Sequence, residues 1–502
     1  MLNQINIITR ESILAKIQGK AVGAKINAAF PNLIINYHTS KTVGDLDQTL
    51  DIKSGEMRGL FTSDISEHII NGHYDIAVHS WKDYPIVNND STKIVGTLSR
   101  EDSRDILFIK KESVNKNFIE KLSIMTSSPR RRYGLEQILN RLIPIRFDKL
   151  LFKDLRGNID TRLKKFMSSD DEGIVIAKAA IDRIMQANET GTALKKQIEY
   201  CLRSCHWIVL PLSLYPTAPG QGAIAIEARI DNLEIVDIIK KVNNEVDFKN
   251  VQYERKIISR YGGGCSQKIG VSIWEKNGNL IQSLSGITEK GEILKFYGMI
   301  ERNKPFEKGI TKSLNIFPKI KKERSIYKRI DYNKNDILNA IDKTIIYLSR
   351  KNVLKYNPIF KYSCILWASG LKTWESAVNK GYWIQGSSES LGEEELKKIG
   401  TLFSEKHPII KLTFAGDILD SNKIIDTYRL EDPEFPSDFE TRTHFFWTSP
   451  RLFKIAIKRF PSIKNKNHSC GMGNTYKALY KFLGNKLNGF LSYDEWLKEF
   501  QK

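Results

Sequence analysis

The sequence predicts an α/β protein built from several domains, on three observations. The chain has 502 residues, more than one hydrophobic core usually organises. Strand-like runs alternate with helical patterns over its first half, as in largely parallel sheets covered by helices. Near Val251 the texture changes to a helix, a glycine cluster and strand-like segments separated by Gly and Asn turns, which indicates a smaller α+β domain.

Residues 4–10, Gln-Ile-Asn-Ile-Ile-Thr-Arg, read as a short buried strand. A helix follows from Ser12, with Ile13, Ala15, Ile17 and Val22 as its apolar positions. Further strand-like runs lie at 33–37, 74–79, 106–109, 173–177 and 207–210. Residues 336–348 read as a helix that closes the smaller domain. Residues 351–362 are polar and contain Pro358, which suggests a linker, and α/β texture resumes after it. No short repeat or low-complexity block is present.

Composition narrows the classes. Hydrophobic residues at 41% and charged residues at 27% suit a soluble folded chain, and no run approaches the ~18–20 apolar residues of a membrane helix. The N-terminus has no basic segment followed by an apolar one, so the cytoplasm is the expected compartment. Five scattered cysteines do not indicate a disulfide framework. The net charge of +20 suits nucleic acid, an anionic membrane surface or a polycarboxylate ligand. Lysine clusters such as that at 319–324 read as solvated faces.

Four motifs bear on chemistry. Gly262-Gly263-Gly264-Cys265 gives a thiol room for a large attached group, although turns also use glycine. His79-Ser80-Trp81-Lys82-Asp83-Tyr84-Pro85 follows a strand, where α/β sheets place ligands; Asp83 could stabilise a cation, and an exposed polar loop is the alternative. Arg130, Arg131, Arg132, Arg156 and Arg162, near Ser127 and Ser128, suit carboxylate or phosphate. Pro216 to Glu227, with two prolines and two glycines, reads as a domain junction. Cys201 and Cys205 lack a second pair at zinc spacing and His79 lacks a partner, so no metal is expected. No nucleic-acid module is recognised.

In order along the chain, these segments resemble hydroxymethylbilane synthase, or porphobilinogen deaminase. The likeness rests on Thr9-Arg10-Glu11-Ser12, Gly59-Leu60-Phe61, the 79–85 segment and Arg100-Glu101-Asp102-Ser103-Arg104-Asp105. It continues through Thr126 to Arg131, Leu155 to Leu163, Ala179 to Arg183, Ala218 to Glu227 and Gly263-Gly264-Cys265, covering about two-thirds of the chain.

The resemblance implies two lobes like periplasmic binding proteins, lobe 1 over 1–99 with 190–225 and lobe 2 over 100–189. A small α+β domain over 226–350 would carry Cys265. It implies a dipyrromethane cofactor joined to Cys265 as a thioether, onto which four porphobilinogens are added with loss of ammonia before hydroxymethylbilane is released. Asp83 would be the catalytic aspartate, and Lys82 would pair with an acidic cofactor side chain. Arg10, Ser12, Ser128, Arg130, Arg131, Arg156, Arg162 and Arg183 would bind carboxylates. No nucleic acid, no membrane and a monomeric state are expected. Departures from the pattern include Met125, Pro129, Ser63-Asp64, Trp81, Ala180 and Ser266-Gln267-Lys268.

Residues 363–502 resemble uroporphyrinogen-III synthase through Leu412 to Gly416, Thr427-Tyr428-Arg429, Phe446 to Arg451 and Gly471 to Thr475. This implies a C-terminal α/β domain that closes hydroxymethylbilane. Tyr428 would assist loss of the hydroxymethyl group, and Ser449 and Thr475 would line the cleft. At about 140 residues the segment is short for that two-domain enzyme, and its first domain is expected to be reduced or absent, which leaves a structural appendage as the alternative. For the chain as a whole, a non-catalytic two-lobed module for an anionic ligand is the rival reading.

Overall fold

The computed structural model describes residues 2–40, 63–86, 90–114, 118–188, 191–262, 267–303, 305–306, 315–403, 407–416 and 423–500. The strands of the first half are β1 (Gln4–Arg10), β2 (Ile34–Ser40), β3 (Ile76–Ser80), β4 (Thr92–Gly96), β5 (Asp105–Lys110), β6 (Phe118–Met125), β7 (Arg146–Lys153), β8 (Gly173–Ala177), β9 (Cys205–Val209) and β10 (Ile224–Arg229). They form two five-stranded sheets, ordered β2-β1-β3-β10-β4 and β7-β6-β8-β5-β9. Each is parallel except for one reversed strand, β10 in the first and β5 in the second. The central strands β5 and β8 are buried at every position, β8 and the Ile106–Ile109 run of β5 being apolar, as expected for sheets covered on both faces.

The chain passes between the two sheets twice, along residues 97–104 and 210–223. Residues 190–225 were expected in the first lobe, but β9 pairs with β5 in the second sheet, and only β10 returns to the first. Glu254, on helix Glu245–Ser259, is fully buried and accepts four hydrogen bonds. Two come from the Arg100 guanidinium (2.7 and 3.0 Å), and two from the N–H groups of Gly220 and Ile273 (2.7 Å each). One carboxylate therefore ties both crossing segments to the next unit. That unit is the antiparallel sheet β11 (Lys268–Lys276), β12 (Asn279–Ile287) and β13 (Ile293–Glu301), whose apolar face packs on Ile257 and Ile258 of the helix.

The remaining strands are β14 (Ile316–Phe317), β15 (Arg329–Asp331), β16 (Ile345–Leu348), β17 (Ile365–Ala368), β18 (Gly386–Ser387), β19 (Ile409–Phe414), β20 (Lys423–Leu430), β21 (His444–Trp447), β22 (Asn467–Gly471) and β23 (Leu487–Phe490). They build two sheets, β15-β20-β19-β16-β17-β18 and the wholly parallel β14-β21-β22-β23. Three sequence expectations change here. Residues 336–348 are a short helix, Asn335–Ala340, followed by β16, because Ile345-Ile346-Tyr347-Leu348 is a buried central strand whose apolar run has no helical or alternating period. Residues 351–362 are no linker between domains: they join β16 to β17 within one sheet, and Val353 and Leu354 are buried. The C-terminal part also begins before residue 363, since β14, β15 and β16 belong to its sheets, and it contains two α/β units rather than a reduced one.

The second lobe and the six-stranded sheet share their cores. Leu107, Leu139 and Leu142 lie in one apolar cluster with Leu366, Trp374 and Ile384, and Trp207 in another with Trp367, Ile399 and Leu402. No helix among the described residues is long and apolar enough to cross a membrane. We expect Glu254→Gln to lower unfolding free energy by about 3–5 kcal/mol, because it leaves a buried guanidinium without its counter-charge; urea denaturation against the parent chain measures this.

Candidate active site

The site lies where the two crossing segments bring the two lobes together. After β3, residues Trp81–Asp83 form a single 3-10 turn, closed by the Tyr84 N–H on the Trp81 carbonyl at 3.2 Å. Trp81 is 2% exposed and anchors the turn, its backbone N–H donating to the Ala223 carbonyl at 3.1 Å, while Asp83 is exposed. The flanks are held by Glu227 on β10, a fully buried carboxylate. It bonds His79 Nε2 at 2.8 Å and accepts from Tyr84 Oη at 2.9 Å, Thr92 Oγ1 at 2.6 Å and Ser66 Oγ at 2.9 Å. His79 is thus a structural partner of Glu227, and the sequence had offered no partner for it.

The second crossing segment passes directly beneath the turn. Gly220, at φ +75°, would set a Cβ 3.2 Å from the Trp81 Cβ and 3.3 Å from the Lys82 N; at Gly222, φ +86°, a Cβ would fall 2.5 Å from the Glu101 carbonyl. Only glycine suits both the close approach and the left-handed backbone. Between them Gln221, 1% exposed, donates to the Ser103 carbonyl at 2.7 Å and to Asp105 Oδ1 at 3.0 Å, and Lys82 Nζ reaches its Oε1 at 3.5 Å. The segment read as a junction is therefore the floor of the site.

The predicted cations fall into two groups. Arg130 and Arg131 are buried, and the carboxylate they hold is the chain's own. Asp105 accepts from Arg130 Nη2 and Arg131 Nη2 at 2.6 Å each and from Arg131 Nε at 3.2 Å. Their remaining bonds go to the Pro216 and Val175 carbonyls. Burial alone would raise the Asp105 pKa, but the two guanidiniums outweigh it and hold the carboxyl well below the usual range.

The second group, Lys82, Arg162 and Arg183, is half-buried around the turn and the second crossing segment. Burial pushes the Arg162 guanidinium down to about 10, and the neighbouring Arg131 and Arg10 push the same way against Asp83. Arg183 is also pushed down to about 10 by burial, against Glu101 and Asp182, while its Nη2 donates to the Gly222 carbonyl at 2.7 Å. Burial lowers the Lys82 pKa too, with Asp83 opposing and Arg131 adding. Cations pushed down this way are short of negative charge, which an anionic ligand would supply.

Arg10 ends β1, and Arg156 lies in the turn before helix Ile159–Met167. Ser12 and Ser128 cap their helices, accepting from Ala15 N at 3.3 Å and Arg131 N at 3.4 Å. Two helix N-termini thereby add to the cationic character of the cleft.

Lys82, Asp83, Arg10, Arg131 and Arg162 are therefore one electrostatic neighbourhood drawn from both lobes. Cys265 and Gly59-Leu60-Phe61 lie outside the described residues. The other four cysteines are buried, and burial pushes the thiols up, that of Cys201 to about 11 and that of Cys205 to about 12. No group of three or more potential metal ligands occurs among the described residues. Far along the chain, Tyr428 on β20 is 3% exposed, with Phe414 6.1 Å and the Arg329 guanidinium 5.6 Å from its ring. Ser449 caps helix Pro450–Arg459, and Thr475 lies in the first turn of helix Asn474–Leu483.

Sequence reasoning missed Asp105, Gln221, Glu227 and Glu254 as site-forming groups. The first three sit inside quoted motifs, and their signal was a charged or amide side chain amid apolar or glycine-rich residues.

Comparison with known proteins gives a consistent result. Residues 5–237 match the family model described as "Porphobilinogen deaminase, dipyromethane cofactor binding domain". Porphobilinogen deaminase of Chlorobium phaeobacteroides is 33% identical over 352 residues, 68% of this chain and 100% of that protein. The probable porphobilinogen deaminase of Picrophilus torridus is 37% identical over 267 residues, 53% of this chain and 84% of that one. Among solved structures, the methionine binding protein MetQ covers 51% of this chain and 94% of its own at 11% identity, with a TM-score of 0.28; a likeness that low carries no argument.

We expect Asp105→Asn to cost about 3–5 kcal/mol of stability at neutral pH, since two buried guanidiniums lose their shared carboxylate. The folded pKa lies below the ordinary 3.8. The contribution is therefore complete above that value and lost as pH falls through the folded one. Denaturation curves of parent and variant should begin to converge only below about pH 4 and meet well under it.

Proposed function

Because the chain belongs to the porphobilinogen deaminase family, we propose that its two-lobed cleft carries out that family's transferase reaction, joining porphobilinogen units with loss of ammonia to give hydroxymethylbilane. The observation that carries the reading is the meeting of Lys82 and Asp83 from one lobe with Arg131 and Arg162 from the other, where burial lowers the Lys82 ammonium and the Arg162 guanidinium against too little negative charge.

The residues fit a dipyrromethane cofactor. Its acetate and propionate groups would match Lys82, Arg10, Arg156, Arg162 and Arg183, and the remaining thiol, Cys265, would hold it where the other four are buried. When bound, the cofactor supplies the ring onto which the next unit is joined. Arg162 and Arg183 gain a counter-charge when the substrate carboxylates enter, so the desolvation these guanidiniums already bear favours binding. Asp83, at the rim of the turn, accepts the pyrrole N–H and stabilises the cation left as ammonia departs. Trp81 and Tyr84 keep it there by fixing the backbone on either side.

A second reading concerns the C-terminal part: it cyclises hydroxymethylbilane to uroporphyrinogen III. What favours it is the presence of two largely parallel α/β units, with one, β14 and β21–β23, enclosing the other in sequence. Arg451 Nη2, in the first turn of the helix capped by Ser449, reaches the Leu430 carbonyl at 3.2 Å across them.

Asp83→Asn should lower kcat for porphobilinogen consumption by about 10²–10³-fold with KM little changed, because it removes charge stabilisation from the transition state. Steady-state assays test this, and a parent-like kcat would overturn Asp83's role. With the parent chain, uroporphyrinogen III as the main product supports cyclisation. Predominantly uroporphyrinogen I leaves the C-terminal part a structural unit.

A further inference from the structure

The C-terminal part grips the two crossing segments that set the register of the lobes. Glu389 lies just beyond β18. Its Oε1 accepts from the Ser213 N–H at 2.8 Å and its Oε2 from the Leu212 N–H at 3.1 Å, at the root of the second crossing. At the end of the first crossing, Arg104 is bonded to Asp102 at 2.6 Å, donates to the Ser387 carbonyl at 3.5 Å, and lies over the Trp367 ring at 5.7 Å. Glu389 and Ser390 both hold left-handed backbone, φ +47° and +65°, which non-glycine residues rarely adopt. Strain of this kind persists where the surroundings impose it, and is concentrated at functional positions.

The same body is fixed to the second lobe. The Val209 N–H donates to the Gln385 carbonyl at 2.8 Å, Trp383 Nε1 to the Trp207 carbonyl at 3.0 Å, and Thr401 Oγ1 to Asp182 at 2.7 Å, beside Arg183. On its other side Asn277 donates to the Met472 carbonyl at 3.0 Å, tying in the unit that holds β11–β13.

We propose that Glu389 is a positioning residue of the transferase site, supplied by the C-terminal part, an inference that rests on the reading of the cleft given above. By holding residues 212–213 it fixes where the segment through Gly220, Gln221 and Gly222 leaves the second lobe. That segment sets the seat of Lys82 and Trp81 and receives the Arg183 guanidinium. The chemistry needs Asp83 from one lobe and Arg162 from the other in register, so loosening this root disturbs the joining step more than substrate capture. The C-terminal part is then a working component of the transferase, whatever it does with the product.

The test uses the full chain with Glu389→Gln, which puts an amide N–H₂ against one of the two N–H donors. The control is Trp374→Phe, which removes a buried bond to the Leu142 carbonyl in the same interface, a bond made to neither crossing segment. Glu389→Gln should lower kcat about tenfold or more, as misplacement remote from the chemistry does, with KM for porphobilinogen near the parent value. Amide exchange over residues 210–223 should quicken in Glu389→Gln, and Trp374→Phe should leave both readouts unchanged. A parent-like kcat for Glu389→Gln, or an equal fall in both variants, overturns the proposal. A parent chain that consumes no porphobilinogen overturns the transferase reading, while the exchange data still report whether Glu389 holds the segment.

Discussion

Buried carboxylates that gather donors from distant segments are the constraint on which this structure depends. A carboxylate taken out of water is costly unless its oxygens are fully satisfied. Glu254 meets that demand with Arg100, Gly220 and Ile273, Glu227 with residues of four segments, and Asp105 with two arginines and Gln221. Each therefore fixes several loops at once. Together they join the 3-10 turn, the crossing segments and the helix starts into one rigid floor, and two glycines let the backbones approach closely enough for the contacts to form.

The complement of this internally neutralised floor is a cleft that is left cationic. Arg130 and Arg131 are balanced by Asp105, whereas Lys82, Arg162 and Arg183 are pushed down by burial against too little negative charge. On the proposed reading, substrates that carry two carboxylates each complete the balance. A growing product would keep adding negative charge, which suits a chain with net charge +20. The two-lobed arrangement lets one lobe present Asp83 while the other presents Arg162, so the relative seat of the lobes matters as much as either residue.

Much of this was legible in the sequence because the relevant signals are local. Residues 4–10 and 173–177 are the strands expected from their apolar runs, and the 79–85 segment does follow a strand into a tight turn. What failed depended on long-range pairing. Nothing local says that β9 pairs with β5, and a four-residue buried strand such as β16 looks like a helix end when its neighbours are polar. The linker-like 351–362 segment carries Val353 and Leu354 into a core assembled from residues far away. The arginines were recognisable as anion binders, but that Asp105 already occupies two of them could be seen only after folding.

The most direct test of the central claim is the intact mass of the purified full chain beside Cys265→Ala. The account predicts that the parent carries an added mass equal to two porphobilinogen units less two molecules of ammonia, and that the variant carries none. A parent chain of unmodified mass that stays unmodified after incubation with porphobilinogen would contradict it.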